Sequence, residues 1–184
     1  MKVKVNKVTI QLVQDDILSL AVDGIVNSTD PNLHLNPPLL LKAGLKLQDA
    51  VNVISWCDIG DAVITDPGDL PVQKIIHAVG PRWGEGSERG KLANTTLACL
   101  RLAEQHRLRS LAMPAISAGV LGYPLENCAR TILTQIIDYT FENPRFLKVV
   151  IICLDNLTAM TVFQNELRLQ VEQLKSAGEG EVTV

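Results

Sequence analysis

The sequence predicts an α/β domain: a three-layer α/β/α sandwich around a mostly parallel mixed sheet. Short β-branched runs alternate with stretches of helical apolar period along the chain. Most of the connections between those runs reach the dozen residues or more that a crossover between parallel strands requires. A chain of 184 residues buries roughly 70% of its unfolded surface in one core, so no second core is needed.

The elements follow in order. Val3, Val5, Val8, Ile10 and Leu12 keep a period of two whose phase slips at Asn6-Lys7, which predicts two short strands or one strand with a bulge. Gly24-Ile25-Val26-Asn27 has the composition of a strand buried on both faces. Asn36-Pro37-Pro38 carries a helix-start signal, an Asn cap with Pro in the first turn, and predicts a helix through Val51 that offers Leu41, Leu45 and Leu47 to a core. Strands are expected at Ala62 to Thr65 and Ile75 to Val79, joined by the turn-rich Asp66-Pro67-Gly68-Asp69-Leu70-Pro71. Leu92, Thr96, Cys99, Leu100 and Ala103 mark a helix over about 88 to 107, and a strand at Ser110 to Met113 follows. Pro124 opens a helix with Cys128, Ile132 and Ile136 on one stripe and Ala129, Leu133 and Ile137 beside it. A strand at Val149 to Leu154 and a helix with Phe163, Leu167 and Val171 complete a single domain over residues 1–175, and the small, polar residues 176–184 are expected to form a loose tail.

Composition excludes several classes. A formal net charge of −3 argues against a domain that holds long nucleic acid by phosphate neutralisation, and the cluster of Arg101, Arg107 and Arg109 reads as the solvated end of a helix. No stretch approaches the ~20 apolar residues of a membrane span, and the N-terminal Met1-Lys2-Val3-Lys4-Val5 lacks a signal-type apolar core, so a cytoplasmic location is expected. The four cysteines, Cys57, Cys99, Cys128 and Cys153, form no C-x-x-C pair and read as buried, reduced thiols. No His, Asp or Glu set has metal-ligand spacing, and neither metal nor cofactor is expected.

In a parallel sheet the ligand crevice lies outside the carboxyl ends of the strands. Three strand ends carry suitable chemistry. After Met113 comes Pro114-Ala115-Ile116-Ser117-Ala118-Gly119-Val120-Leu121-Gly122-Tyr123-Pro124, where two glycines three apart let backbone N–H groups converge as a diphosphate cradle; the same pattern also makes an ordinary tight connection. Asn27-Ser28-Thr29-Asp30 can hydrogen-bond ribose hydroxyls or merely satisfy a turn. Asp15-Asp16-Ile17 pairs a carboxylate with a backbone N–H, a fit for an amine-bearing ring. His77, inside a strand pattern, reads as structural, and His34 as either solvated or facing a ligand. Trp56 and Trp83 read as packing or surface residues.

Taken together and in order, these segments resemble the macrodomain family over roughly residues 8 to 170. Asp15-Asp16-Ile17 is similar to its Gly-Asp-Ile, Val22-Asp23-Gly24-Ile25-Val26-Asn27 to its Val-Asp-Ala-Ile-Val-Asn, Ile75-Ile76-His77-Ala78-Val79-Gly80-Pro81 to a third signature, and residues 114–124 to its phosphate loop. Pro81-Arg82-Trp83 and the segment from Arg109 onward resemble the macrodomains attached to some poly-ADP-ribose polymerases. The resemblance implies ADP-ribose or an ADP-ribosylated protein as the partner. Asp16 and the Ile17 backbone would meet adenine; Ser117, Ala118, Gly119, Val120, Leu121, Gly122 and Tyr123 would wrap the diphosphate; and Asn27 and Asp30 would stand where the family has two asparagines, the second near the distal ribose. Leu154, with Asp155 and Asn156, takes the place of an aromatic shelf, leaving adenine an aliphatic surface.

Two departures qualify the match. Leu33-His34-Leu35-Asn36-Pro37-Pro38 replaces a run of glycines, and prolines donate no N–H, so one of two diphosphate loops is altered or lost. Asp30 replaces an asparagine, which places an anion near a phosphate-bearing ligand, or a general base near an anomeric carbon. Three functions remain open: an ADP-ribose binding module; an ADP-ribosyl hydrolase or ADP-ribose 1''-phosphate phosphatase with Asp30 and Asn27 as catalytic residues; or a scaffold that has lost its ligand or takes RNA or another nucleotide.

Overall fold

The computed structural model describes residues 1–184. Eight strands form one mixed sheet: β1 (Lys2–Val5), β2 (Val8–Gln14), β3 (Gly24–Thr29), β4 (Asp61–Thr65), β5 (Lys74–Val79), β6 (Ser110–Met113), β7 (Val149–Leu154) and β8 (Val182–Thr183). Their order is β4-β5-β3-β6-β7-β2-β1-β8. The five strands β5, β3, β6, β7 and β2 are mutually parallel, and β4, β1 and β8 join antiparallel at the edges. The α/β/α reading with a mostly parallel mixed sheet therefore holds. The phase slip at Asn6-Lys7 is a hairpin turn between β1 and β2, with Asn6 at φ 55°.

One face of the sheet carries α3 (Glu88–Gln105), α4 (Leu125–Thr140) and α5 (Leu157–Ala177). The stripes expected on these helices, Leu92 to Ala103, Cys128 to Ile137 and Phe163 to Val171, are buried against Ile10, Leu12, Met113 and Val150. The other face carries α1 (Pro37–Ala43) and α2 (Leu45–Ile54) over β3 and β5, packed through Leu39, Ala43, Leu47 and Val51. That second layer stops short of β1, where Lys2 and Lys4 point to solvent.

Two expectations are corrected here. The helix expected through Val51 breaks at Gly44, whose φ of 80° leaves the helical region, and α2 starts after it. Leu41 and Leu45 lie 86% and 77% exposed, and the core positions are Leu39, Ala43, Leu47 and Val51, spaced four residues apart on either side of Gly44. The tail expected to be loose from residue 176 instead finishes α5 and then adds β8 to the free edge of β1. Asn6 holds it there: its amide donates to Glu181 O (2.7 Å) and its Oδ1 accepts from Glu181 N (3.1 Å). An unpaired strand edge is a template for such an addition.

Candidate functional site

The carboxyl ends of β2, β3, β6 and β7 open onto one cleft. Its larger compartment, about 530 Å³, runs from Asp15, Asp16 and Ile17 past Ser28 to Pro114, Ala115, Ala118 and Gly119, with Leu125, Cys153, Leu154, Asp155, Asn156 and Ala159 closing it. A second compartment of about 310 Å³ is lined by Ser28, Thr29, Asp30, His34, Asn36, Ala118, Val120 and Leu121. Ser28 and Ala118 belong to both, so the two are continuous. A side pocket of about 170 Å³ between Asp16, Ile17, Asn27, Asn36 and Pro38 adjoins them.

The loop after β6 forms the middle of this cleft. Ala118 N is taken by Ala115 O (3.1 Å), Gly122 N by Gly119 O (2.9 Å) and Tyr123 N by Ser117 O (3.1 Å), which leaves the amides of Gly119, Val120 and Leu121 without a partner in the chain. Gly119 and Gly122 hold φ of 76° and 73°, where a side chain is disfavoured. Ser117 takes φ 69° without being glycine, and its hydroxyl is buried with no hydrogen-bond partner. The Ser117 side chain turns toward Gly80, and the Tyr123 ring packs edge-on against Trp83 with centroids 5.0 Å apart. Of the loop residues singled out from sequence, Ala118, Gly119, Val120 and Leu121 line the cleft, whereas Ser117 and Tyr123 are buried behind it and Gly122 is exposed outside it.

At one end, Asp16 caps a 3-10 turn at Ile17–Ser19 through Leu18 N (3.0 Å), and its second carboxylate oxygen accepts from no group in the chain. Leu125, Leu154 and Ala159 supply the aliphatic wall beside it. Asn156 caps α5 through Ala159 N (2.8 Å) and donates to Asp155 (2.8 Å), so both halves of its amide are engaged. Cys153, on the cleft floor, donates to Asp15 O (3.1 Å), and burial pushes its thiol up to about 11, which keeps it protonated at neutral pH.

At the other end, Asp30 Oδ1 accepts from Asn32 N (2.9 Å) and His34 N (3.5 Å), the turn-forming behaviour weighed from sequence, while the residue remains exposed to the second compartment. Asn27 lies elsewhere. It is 7% exposed, lines the side pocket, and its Nδ2 sits 3.3 Å from His77 Nδ1, while His77 Nε2 sits 2.9 Å from Thr65 Oγ1. An amide donor facing Nδ1 fixes the ring as the Nε2–H tautomer donating to Thr65, consistent with a structural His77. Asn27 and Asp30 are therefore not brought into one compartment. Sequence reasoning missed Asn36 as a cleft-lining side chain; its cap signal was visible, but which wall the cap would face was not.

The Leu33 to Pro38 segment leaves the cleft open. Leu33 and Leu35 are buried in the α1–α2 core, and Pro37 and Pro38 are exposed.

The Macro domain family model matches residues 38–132. O-acetyl-ADP-ribose deacetylase from Enterobacter sp. (strain 638) is 37% identical over 163 residues, covering 83% of this chain and 91% of that protein. A macro domain-containing protein of Chlorobaculum tepidum is 33% identical over 168 residues, covering 88% and 97%. Among solved structures, the Oceanobacillus iheyensis macrodomain with ADP superposes with a TM-score of 0.89 at 28% identity, covering 94% of this chain and 97% of that one. The Trypanosoma brucei macrodomain in complex with ADP-ribose shares the fold, with a TM-score of 0.79 at 24% identity over 85% and 68% of the two chains. With its phosphate-loop sequence, its crevice at the strand ends and these relatives in agreement, the chain belongs to the macro domain family.

Proposed function

We propose that the protein binds ADP-ribose, free or attached to protein, in the continuous cleft. The observation that carries this is the run of unpartnered amides, Gly119 N, Val120 N and Leu121 N, between an aliphatic compartment flanked by Asp16 and a polar one holding Asp30. Fixed amides in a loop with no competing carbonyl favour phosphoryl oxygens. The first compartment suits adenine, whose exocyclic amine can donate to Asp16 and whose faces rest on Leu125, Leu154 and Ala159. The second suits the distal ribose. Binding of ADP by the Oceanobacillus iheyensis relative and of ADP-ribose by the Trypanosoma brucei one supports the ligand class.

Val120 tests the amide directly, because the residue is 93% exposed and contributes nothing to the core. Val120→Pro removes the N–H and should weaken ADP-ribose binding by about tenfold, while Val120→Ala should leave it unchanged. Equal affinity in both variants contradicts the reading.

A second reading, hydrolysis at the distal ribose, is favoured by Asp30 standing exposed in the second compartment and by relatives named O-acetyl-ADP-ribose deacetylase. There Asp30 acts as general base on water. Release of acetate from O-acetyl-ADP-ribose, abolished in Asp30→Ala with ADP-ribose binding retained, supports it; no release by the wild-type protein overturns it.

A further inference from the structure

Opposite the loop after β6, the second compartment is walled by Asp30, His34 and Asn36. The first turn of α1 behind them has no amide to offer a ligand. Pro37 and Pro38 have no N–H, Leu39 N is taken by Asn36 Oδ1 (2.9 Å) and Leu40 N by Asn36 O (3.0 Å). Asp30 is an acceptor only when ionised, and so opposes a phosphate-bearing ligand. With the first turn of α1 supplying no amide, side chains on this wall become the donors of interest.

Two are in place. Asn36 commits its Oδ1 to the cap, which leaves its Nδ2 free to donate. His34 is exposed, and its position follows from the residues around it. Leu33, at φ 59°, and Leu35 are both buried, so the residue between them projects outward. Thr29 Oγ1 donates to His34 O at 2.6 Å, and His34 N leans on Asp30 Oδ1, which together fix the backbone from which the imidazole extends.

The geometry points to His34 as a ligand-contacting, specificity-determining residue: its imidazole, with Asn36 Nδ2 beside it, supplies hydrogen bonds to the terminal phosphate of a nucleoside diphosphate and to the hydroxylated group esterified on it. This rests on the proposed binding of ADP-ribose and names the side chains that hold its distal half. On this wall part of the affinity resides in replaceable side chains, and two side-chain donors in the same compartment offset Asp30. The ligand class that gains is the nucleoside diphosphate bearing a sugar; a nucleoside monophosphate, which ends at the loop amides, gains nothing.

The test is titration of wild type, His34→Leu and His34→Gln with ADP-ribose and with AMP, alongside thermal melts. His34→Leu should lose about tenfold in ADP-ribose affinity and less than about twofold for AMP, with His34→Gln recovering part of the loss by restoring a donor. The melting temperature should not move, because the side chain is exposed. Wild-type affinity for ADP-ribose in His34→Leu overturns the assignment, as does an equal loss for both ligands. Failure of the wild-type protein itself to bind ADP-ribose overturns the proposed function instead, and the assignment with it.

Discussion

Asn27 Nδ2 and His77 Nδ1 meet at 3.3 Å in the layer between the sheet and α1–α2, directly across the β3–β5 register that pairs the two residues. With Thr65 on its far side, the His77 ring has both nitrogens engaged and is fully buried. Burial lowers its pKa from 6.5 to about 4. The same side chain in the unfolded chain takes up its proton at the higher value, so the folded state is disfavoured as pH falls.

His77 should therefore make stability pH-dependent in a defined window. Its contribution is complete above about pH 6.5, declines as pH falls from there toward about 4, and is level below that, with a total on the order of 3 kcal/mol. Urea unfolding at pH 7 and at pH 4.5 should show a smaller difference in His77→Gln than in wild type. Identical pH slopes in the two proteins would exclude His77 as the source.

Gly80 follows β5 at a point where a Cβ would overlap Ser117 Oγ and Ile116 Cγ2. Those atoms belong to the loop that lines the cleft, so the glycine sets how close the loop lies to the sheet. Gly80→Ala should cost about 1–3 kcal/mol through overpacking and weaken ADP-ribose binding together with it. Chemical denaturation and calorimetric titration on one sample check both; a variant with native stability would show that the loop moves aside freely.

Ser117 combines a left-handed backbone with a buried hydroxyl that has no partner. Both features disfavour the folded state. Ser117→Gly removes the first and the second, and should stabilise the protein by about 1 kcal/mol, read as a higher denaturant midpoint. A lower midpoint would mean that the hydroxyl contributes an interaction in solution. Ser117→Ala, which keeps the backbone strain, should fall between the two.

The sequence made the parallel sheet and its helical cover legible because period and length are local properties. The stripe Cys128, Ile132, Ile136 on α4 and the run Ile75 to Val79 in β5 sit where their patterns say. The α1–α2 region was less legible: two four-residue apolar series overlap there, Leu39-Ala43-Leu47-Val51 and Leu41-Leu45, and the spacing alone did not say that the first, which includes a small alanine, would be the buried one. The β8 addition was also hidden, since a two-residue strand has no period and depends on the edge that β1 leaves free. In the cleft, strand ends and glycine positions marked the loop after β6, but not that Ser117 and Tyr123 would face the core. Tyr123 is buried because Trp83 and α4 close over it, a contact between segments some forty residues apart.

The most direct measurement is a two-dimensional amide spectrum of the labelled protein during titration with ADP-ribose. The Gly119 and Val120 N–H signals should move downfield and saturate, with smaller shifts at Ile17, His34 and Asn36. Millimolar ADP-ribose leaving the Gly119 and Val120 signals in place, or moving only residues outside the cleft, would contradict binding by these amides.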